Sequence, residues 1–262
     1  RENLERGVLW LIRQCDDQLG RILDALEATG AIRDTMIVLT SDHGDYLGDH
    51  WMGEKDLFHD PSVRIPMIVA DPRPEADATR GTVSPALVES IDLAATFIEA
   101  AGGAVPGHVV EGRSLLPLLR GEAVAWRAAA ISEYDYSQSP VAAQLGLAPK
   151  DCRLMMVATE RWKMVHAEGG FRPMLFDLAA DPQELRDLGD DPDHDGVIDG
   201  MYGHLNRWAR RMSQRTAISD ADIAARRGKS RRKGVLLGVW DETGASEEDL
   251  ARYRGPAPPL PD

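Results

Sequence analysis

An aspartate and a histidine stand side by side directly after a short apolar segment. The segment 36–40 is followed by Ser41-Asp42-His43-Gly44. Its β-branched residues predict a buried strand, and ligand sites in open α/β sheets gather where strands end. Asp42 offers a hard carboxylate oxygen and His43 a borderline nitrogen, a pair that suits a divalent cation. We therefore expect Asp42 and His43 to bind a metal ion, with Gly44 letting the chain turn away without crowding it.

The tripeptide also has a simpler interpretation. Asp-His-Gly after a strand can be a turn in which Asp42 caps the backbone and His43 is exposed to solvent. The residues that follow favour the metal site. Lys55 lies thirteen positions after Asp42, and an ammonium group facing a metal ion would form a trap for an anionic substrate.

The longer pattern is similar to one known family. Ser41-Asp42-His43-Gly44, Leu47-Gly48-Asp49-His50, Lys55 and Arg64-Ile65-Pro66 together resemble the sulfatase and phosphonate monoester hydrolase branch of the alkaline phosphatase superfamily. The segments 161–166 and 181–184 are similar to the C-terminal subdomain of that family. The resemblance covers most of residues 1–215. It implies an α/β fold, the C-terminal portion of an alkaline-phosphatase-like sandwich with a small antiparallel sheet subdomain.

The apolar pattern places these motifs on predicted elements. Apolar residues at three- and four-residue steps over 4–26 predict an amphipathic helix that ends near Gly30. The strand at 36–40 follows, as expected for a crossover onto a parallel sheet. A second strand at 65–70 and a helix at 87–98 come next. Short strand-like runs then predict a small antiparallel sheet: 128–133, 154–159, 162–166 and 174–176. The last predicted helix packs back on this sheet through Met201, Leu205, Trp208 and Met212.

The sequence predicts three regions. Residues 1–125 form the C-terminal part of the sulfatase-like α/β core, with half of the metal site, and residues 126–218 form the small sheet and helix subdomain. Residues 219–262 form a basic tail in which six of the eight residues 226–233 are Lys or Arg. Two interpretations of that run stay open: a solvated loop, or a contact with an acidic face of a neighbouring subunit.

Charge and composition exclude several classes of protein. A net charge of −13 argues against general nucleic-acid binding, because a phosphate backbone would be repelled. No apolar run is long enough for a membrane span, and no export signal is visible near Arg1. The chain begins with Arg1 rather than Met, so we expect it to start inside a longer protein. Two cysteines, Cys15 and Cys152, predict no disulfide framework. Cysteine scarcity and the family resemblance favour the cytoplasm.

The resemblance implies a function and a cofactor. The parent protein would be a metal-dependent hydrolase of sulfate esters or of phosphonate and phosphate esters, with one divalent ion, Ca²⁺ or Mn²⁺, and a homo-oligomeric state. The family nucleophile is a formylglycine made from a Cys-x-Pro/Ala-x-Arg motif, which the residues after Cys15 and Cys152 do not match. We therefore expect the nucleophile upstream of this chain. Two alternatives stay open: a two-metal phosphodiesterase or phosphomutase of the same superfamily, and a catalytically incomplete fragment.

The resemblance also suggests a role for single residues. Lys55 would bind the substrate anion and act in catalysis, as the second positive charge opposite the metal ion, and a lysine there favours one metal ion over two. His50 is a weaker candidate for the substrate pocket. We expect His59 to be structural. Asp60 and Arg64 would form an ion pair or hydrogen bonds that fix the loop carrying Lys55.

Overall fold

The computed structural model describes residues 2–210 and Glu247. The chain divides into two units, Arg1–Ser213 and Gln214–Asp262. The helices and strands of residues 2–210 belong to the first unit. The predicted tail at 219–262, apart from Glu247, and the predicted helix residue Met212 lie outside the described residues. The boundaries predicted at 125/126 and 218/219 stay predictions.

Helices and strands alternate and then give way to a run of strands. The helices over residues 2–210 are α1 (Glu2–Thr29), α2 (Asp60–Val63), α3 (Asp92–Ala100), α4 (Leu116–Leu119), α5 (Pro140–Gln144) and α6 (Asp195–Ala209). The strands are β1 (Ile37–Thr40), β2 (Met67–Ala70), β3 (Ala130–Asp135), β4 (Arg153–Ala158), β5 (Trp162–Ala167) and β6 (Met174–Asp177). Each predicted strand is found within two residues of its expected position, and α1 ends before Gly30, whose φ is +75°. The predicted α/β class with a small antiparallel sheet is confirmed.

The first sheet consists of two antiparallel strands. β1 and β2 pair antiparallel, with Ile37 opposite Ala70 and Thr40 opposite Met67. The crossover predicted for α1 and β1 concerns a parallel partner of β1 other than β2, so it stays a prediction. The connection at 41–66 contains only short helical turns, whereas a parallel pair needs a crossover element that carries the chain back to the same end of the sheet. Apolar runs predict that strands exist, but the connection decides their direction.

The second sheet forms the largest described core. It has four antiparallel strands in the order β3-β4-β5-β6. One face packs against α6 through buried side chains: Val157, Met164, Leu175, Met201 and Leu205. The opposite face packs against Phe58, through Met156 and Val165. This second contact docks the segment that follows Lys55 onto the sheet.

A buried ion cluster fixes the start of α3. Asp92 is fully buried and pairs with the guanidinium of Arg127, which also lies 3.3 Å from Glu89. The Asp92 carboxylate accepts a further hydrogen bond from the Arg113 backbone N–H at 2.7 Å. These contacts hold the segment 87–92 in place, and residues 87–91 of that segment line a cleft that also contains Lys55.

Two further features concern the cysteines and the apolarity of the helices. Cys15 is exposed and Cys152 is buried, and both are free, as predicted. Over the described residues, no helix combines the length and apolarity needed to cross a bilayer.

A buried ammonium group ties the second sheet to α2. Lys163 on β5 is only 2% exposed, and its Nζ lies 2.6 Å from Asp60 Oδ1 and 2.6 Å from Glu184 Oε1. Glu184 is also buried, and its Oε2 accepts a hydrogen bond from the Asp60 backbone N–H at 2.6 Å. The segments that carry Asp60, Lys163 and Glu184, which are far apart in sequence, therefore meet at the Lys163 ammonium group.

Substitution of Lys163 tests the importance of this cluster. We expect Lys163→Met to lower the free energy of unfolding by about 3–5 kcal/mol, because two carboxylates lose their buried partner. Arg153→Met is the matched control: Arg153 pairs with Glu133, but both side chains are more than a third exposed, and its loss should cost no more than about 1 kcal/mol. Urea denaturation of both variants gives the comparison. Equal destabilisation by the two substitutions would contradict the assignment.

Candidate active site

Asp42 and His43 lie where β1 ends, as predicted. Asp42 Oδ2 and His43 Nε2 are 3.5 Å apart, and the two side chains are 86% and 39% exposed. The other oxygen of Asp42 accepts a hydrogen bond from the His43 backbone N–H at 3.0 Å. That hydrogen bond is the main reason why the pKa of Asp42 is lowered. The carboxylate is therefore ionised and directed at the imidazole edge.

The hydrogen bonds of His43 define which ring nitrogen is free. Its Nδ1 lies 2.7 Å from the carbonyl oxygen of Gly44. A carbonyl can only accept, so Nδ1 carries the proton and Nε2 keeps its lone pair. Lys55 Nζ lies 2.6 Å from Nε2 and donates to it. The lone pair of Nε2 is thus directed toward the place where Asp42 and Lys55 converge.

The backbone of Lys55 is held by α2. The hydroxyl of the buried Ser62 donates to the Lys55 carbonyl at 2.5 Å, and the Ser62 carbonyl accepts from the Gly44 N–H at 2.7 Å. One residue of α2 therefore connects both halves of the site. Gly44 is required here for space, because a Cβ at this position would overlap the Pro61 carbonyl oxygen.

The loop between Gly44 and Lys55 has an unusual backbone. Four non-glycine residues have φ between +48° and +60°, the left-handed region that L-residues rarely adopt: Leu47, His50, Trp51 and Glu54. The loop is closed by a hydrogen bond from the Tyr46 N–H to the Glu54 carbonyl at 2.9 Å. Such strain persists only where the surroundings enforce it. The buried ring of Tyr46, 1% exposed, anchors the loop.

Two histidine rings, His50 of this loop and His59 beyond it, pack against Tyr46. The rings of His50 and His59 stack with their centroids 4.0 Å apart. The Tyr46 hydroxyl accepts from the His59 backbone N–H at 3.3 Å, so its own proton is free to donate to His59 Nδ1 at 2.9 Å. Burial raises the pKa of Tyr46 to about 12. Burial, helped by His50 and Lys163, lowers the pKa of His59 to about 4, so the His59 ring is neutral near pH 7.

The structure brings three of the four predicted site residues together. Asp42, His43 and Lys55 line one cleft of about 980 Å³, whose other walls come from the segment 84–91 and from β3. His50 does not line this cleft, and its predicted contact with substrate stays a prediction. Arg64 pairs with Asp60 at 3.2 Å, as expected for residues that fix the loop.

Three further residues were not singled out from the sequence: Ser62, Lys163 and Glu184. Lys163 stands inside the otherwise apolar segment 162–165. That position could have indicated a buried lysine, which requires an acidic partner. Its partners, at positions 60 and 184, could not be deduced from sequence spacing.

The donor set fits part of a metal site. A hard oxygen and a borderline nitrogen 3.5 Å apart can both reach one divalent ion, given ligand distances of about 2.0–2.6 Å. Within residues 2–210 and Glu247, no group of three or more His, Cys, Asp or Glu side chains is arranged to hold a metal. At this cleft, the described side chains of these four types therefore give a pair of donors, Asp42 and His43.

Comparison with known proteins shows a consistent set of relatives. Residues 48–211 match the family model described as "N-sulphoglucosamine sulphohydrolase, C-terminal". The chain is 36% identical over 212 residues to the "Multifunctional alkaline phosphatase superfamily protein PehA" of Trinickia caryophylli, covering 79% of this chain and 40% of that protein. It is 30% identical over 187 residues to "N-acetylglucosamine-6-O-sulfatase" of Bacteroides thetaiotaomicron, covering 70% of this chain and 31% of that protein.

A solved structure gives the same picture. The phosphonate monoester hydrolase of Agrobacterium radiobacter superposes with a TM-score of 0.67 at 36% identity, covering 73% of this chain and 38% of that one. The fold therefore corresponds to that of sulfatase-like and alkaline-phosphatase-like proteins. The chain spans at most 40% of the length of these relatives.

The depressed pKa of His59 predicts a pH-dependent stability. The unfolded chain binds a proton at His59 below about pH 6.5 and the folded chain only below about pH 4. The stability associated with the neutral ring is therefore complete above pH 6.5 and declines as the pH falls toward 4. His59→Asn keeps an acceptor near Tyr46 but does not titrate. We expect this substitution to reduce the loss of unfolding free energy between pH 7 and pH 4 by about 2 kcal/mol. Urea denaturation of the 262-residue chain between pH 4 and pH 7 measures it, and parallel profiles for the two proteins would refute the assignment.

Proposed function

This chain belongs to the sulfatase family matched by the N-sulphoglucosamine sulphohydrolase C-terminal model, and from that membership we propose that the whole protein hydrolyses sulfate esters or phosphonate and phosphate esters. Its relatives include a sulfatase and a phosphonate monoester hydrolase. The substrate would be a small anionic ester.

One observation carries this proposal. Lys55 Nζ lies 2.6 Å from the free nitrogen of His43 and faces into the same cleft as Asp42. Ser62 holds the Lys55 backbone carbonyl. α2 is itself held by the buried cluster of Lys163, Asp60 and Glu184. The Lys55 backbone is thus held beside the cleft, and its exposed side chain lines it.

The reaction explains why a fixed cation is useful. Attack on sulfur or phosphorus places negative charge on the non-bridging oxygens and on the leaving oxygen. A cation already oriented toward those oxygens stabilises the transition state more than the ground state. Lys55 supplies such a cation once its side chain turns from His43 Nε2, and the loop need not rearrange.

We assign the metal ion to Asp42 and His43. Their oxygen and nitrogen would hold it through Oδ2 and Nε2, the two atoms that are already directed at each other. When bound, a divalent ion supplies a second positive charge for the substrate oxygens. The Asp/His pair accepts either Ca²⁺ or Mn²⁺. Counting metal ions in the intact protein separates this proposal from the two-metal alternative: one ion per subunit supports Lys55 as the second charge, and two ions would contradict it.

The nucleophile is assigned to a part of the protein outside this chain. Neither Cys15 nor Cys152 lines the cleft, and neither has the sequence context of a formylglycine. The relatives are more than twice as long as the region they share with this chain. We propose that a formylglycine lies in that additional region, and that the chain alone is catalytically incomplete. The cytoplasmic location and the homo-oligomeric state stay predictions.

Substitutions in the intact protein test the two roles. We expect Lys55→Ala to lower kcat by about 10²–10³-fold, the usual effect of removing one group that stabilises a transition-state oxyanion, with the metal content unchanged. Asp42→Ala should empty the metal site. Lys150→Ala, which removes an exposed lysine, is the control and should change neither quantity. Rates with an aryl sulfate and an aryl phosphonate, together with atomic emission of the purified proteins, give both readouts. A normal kcat for Lys55→Ala would overturn its role.

A further inference from the structure

A second cavity of about 500 Å³ adjoins the cleft that contains Lys55. Asp56, Leu57 and Tyr134 line both spaces, so the two meet at this point. Leu57 follows Lys55 by two residues. An ester whose anionic end lies at Lys55 could therefore extend past Leu57 into the second cavity.

The inner part of this cavity is aromatic. The rings of Tyr134 and Tyr136 lie 6.4 Å apart between centroids and are tilted by 33°. Burial raises the pKa of both hydroxyls, so both side chains are uncharged. Leu154 adds an aliphatic surface beside them. Such walls favour a flat apolar group, because aromatic rings gain most from parallel or edge contacts with another ring.

The mouth of the cavity is apolar as well. Val141, Leu145 and Phe171 line it and remain 42–50% exposed. Exposed apolar side chains that cluster around a cavity mark a binding site more often than a random surface. The only acidic group among the lining residues is Asp56, at the junction with the cleft, and it would repel a second anionic group.

We propose that this cavity binds the leaving group of the ester, and that the group it accepts is uncharged, flat and apolar, such as a fused aromatic ring. The assignment rests on the proposed function. A volume of about 500 Å³ lies within the range of small-molecule sites, about 300–1,000 Å³. A sugar is less favoured than an aromatic ring, because polar side chains are confined to Tyr46, Asp56, Tyr134, Tyr136 and Ser139, and hydroxyl groups against the other walls would lose water without replacement.

Two esters of the same acid test this assignment in the intact protein. One has a 2-naphthyl leaving group and the other a trifluoroethyl group, which is too small to fill the cavity. The double substitution Leu145→Ala/Phe171→Ala removes apolar contact at the mouth, where partial exposure makes folding tolerant. Leu185→Ala is the control, since Leu185 is 64% exposed and lines neither cavity.

The double variant should lose about tenfold in kcat/KM for the naphthyl ester, as expected from the lost apolar contact, and remain within about twofold of the parent for the trifluoroethyl ester. The Leu185→Ala variant should match the parent on both. Equal losses on the two esters, or no loss on the naphthyl ester, would overturn the proposal.

Calorimetric titration with 2-naphthol separates this proposal from the proposed function. If the intact protein hydrolyses neither ester, the proposed function fails and the leaving-group role fails with it; naphthol binding that the double substitution weakens would then show that the cavity still binds apolar rings. Naphthol binding that the double substitution leaves unchanged would refute the assignment of the cavity itself.

Discussion

The arrangement of the site depends on one buried ammonium group. Lys163 is almost fully buried in the second sheet and is neutralised by Asp60 and Glu184, each 2.6 Å away. An unpaired charge in that position would be costly, so the three groups must remain together. Asp60 is the first residue of α2, and α2 therefore stays docked on the sheet. Ser62, two residues later, then fixes both the Lys55 carbonyl and the Gly44 amide. The ion pairs that stabilise Lys163 in the sheet therefore also position the backbone of Lys55, the proposed catalytic lysine.

The proposed chemistry depends on a tightly constrained backbone around Asp42, His43 and Lys55. The Gly44 carbonyl sets the tautomer of His43, so that its free nitrogen faces Lys55. The strained loop between them is closed by a backbone hydrogen bond and by the buried ring of Tyr46. The backbone that carries these charged groups needs no reorganisation when an anion arrives, which favours electrostatic catalysis; only the Lys55 side chain turns from His43 toward the anion. The two cavities meeting at Leu57 and Tyr134 give such an ester one place for its anionic end and another for its leaving group.

Sequence patterns predicted the helices and strands and the proximity of Asp42, His43 and Lys55. They predicted less well how segments distant in sequence pair with each other. Local signals sufficed for α1, for the six strands and for the motif after β1, because apolar periodicity and turn residues act over a few positions. The direction of β2 was not predicted, since pairing depends on the path of residues 41–66 and not on the strand itself. The partners of Lys163 were missed for a similar reason: the ion cluster joins positions 60, 163 and 184, and no periodicity links them. The exposed apolar residues of α1, such as Trp10 and Ile12 at 64% and 57%, show that an apolar stripe predicts a helix but not its partner.

The central claim is that Lys55, opposite an ion on Asp42 and His43, holds a tetrahedral oxyanion. A crystal structure of the intact protein with its metal and orthovanadate tests this most directly. We predict that Asp42 Oδ2 and His43 Nε2 ligate the metal, and that Lys55 Nζ has turned from His43 to lie about 3 Å from a vanadate oxygen. A vanadate bound in the cleft with Lys55 extended into solvent, or a metal held without Asp42 and His43, would contradict the account.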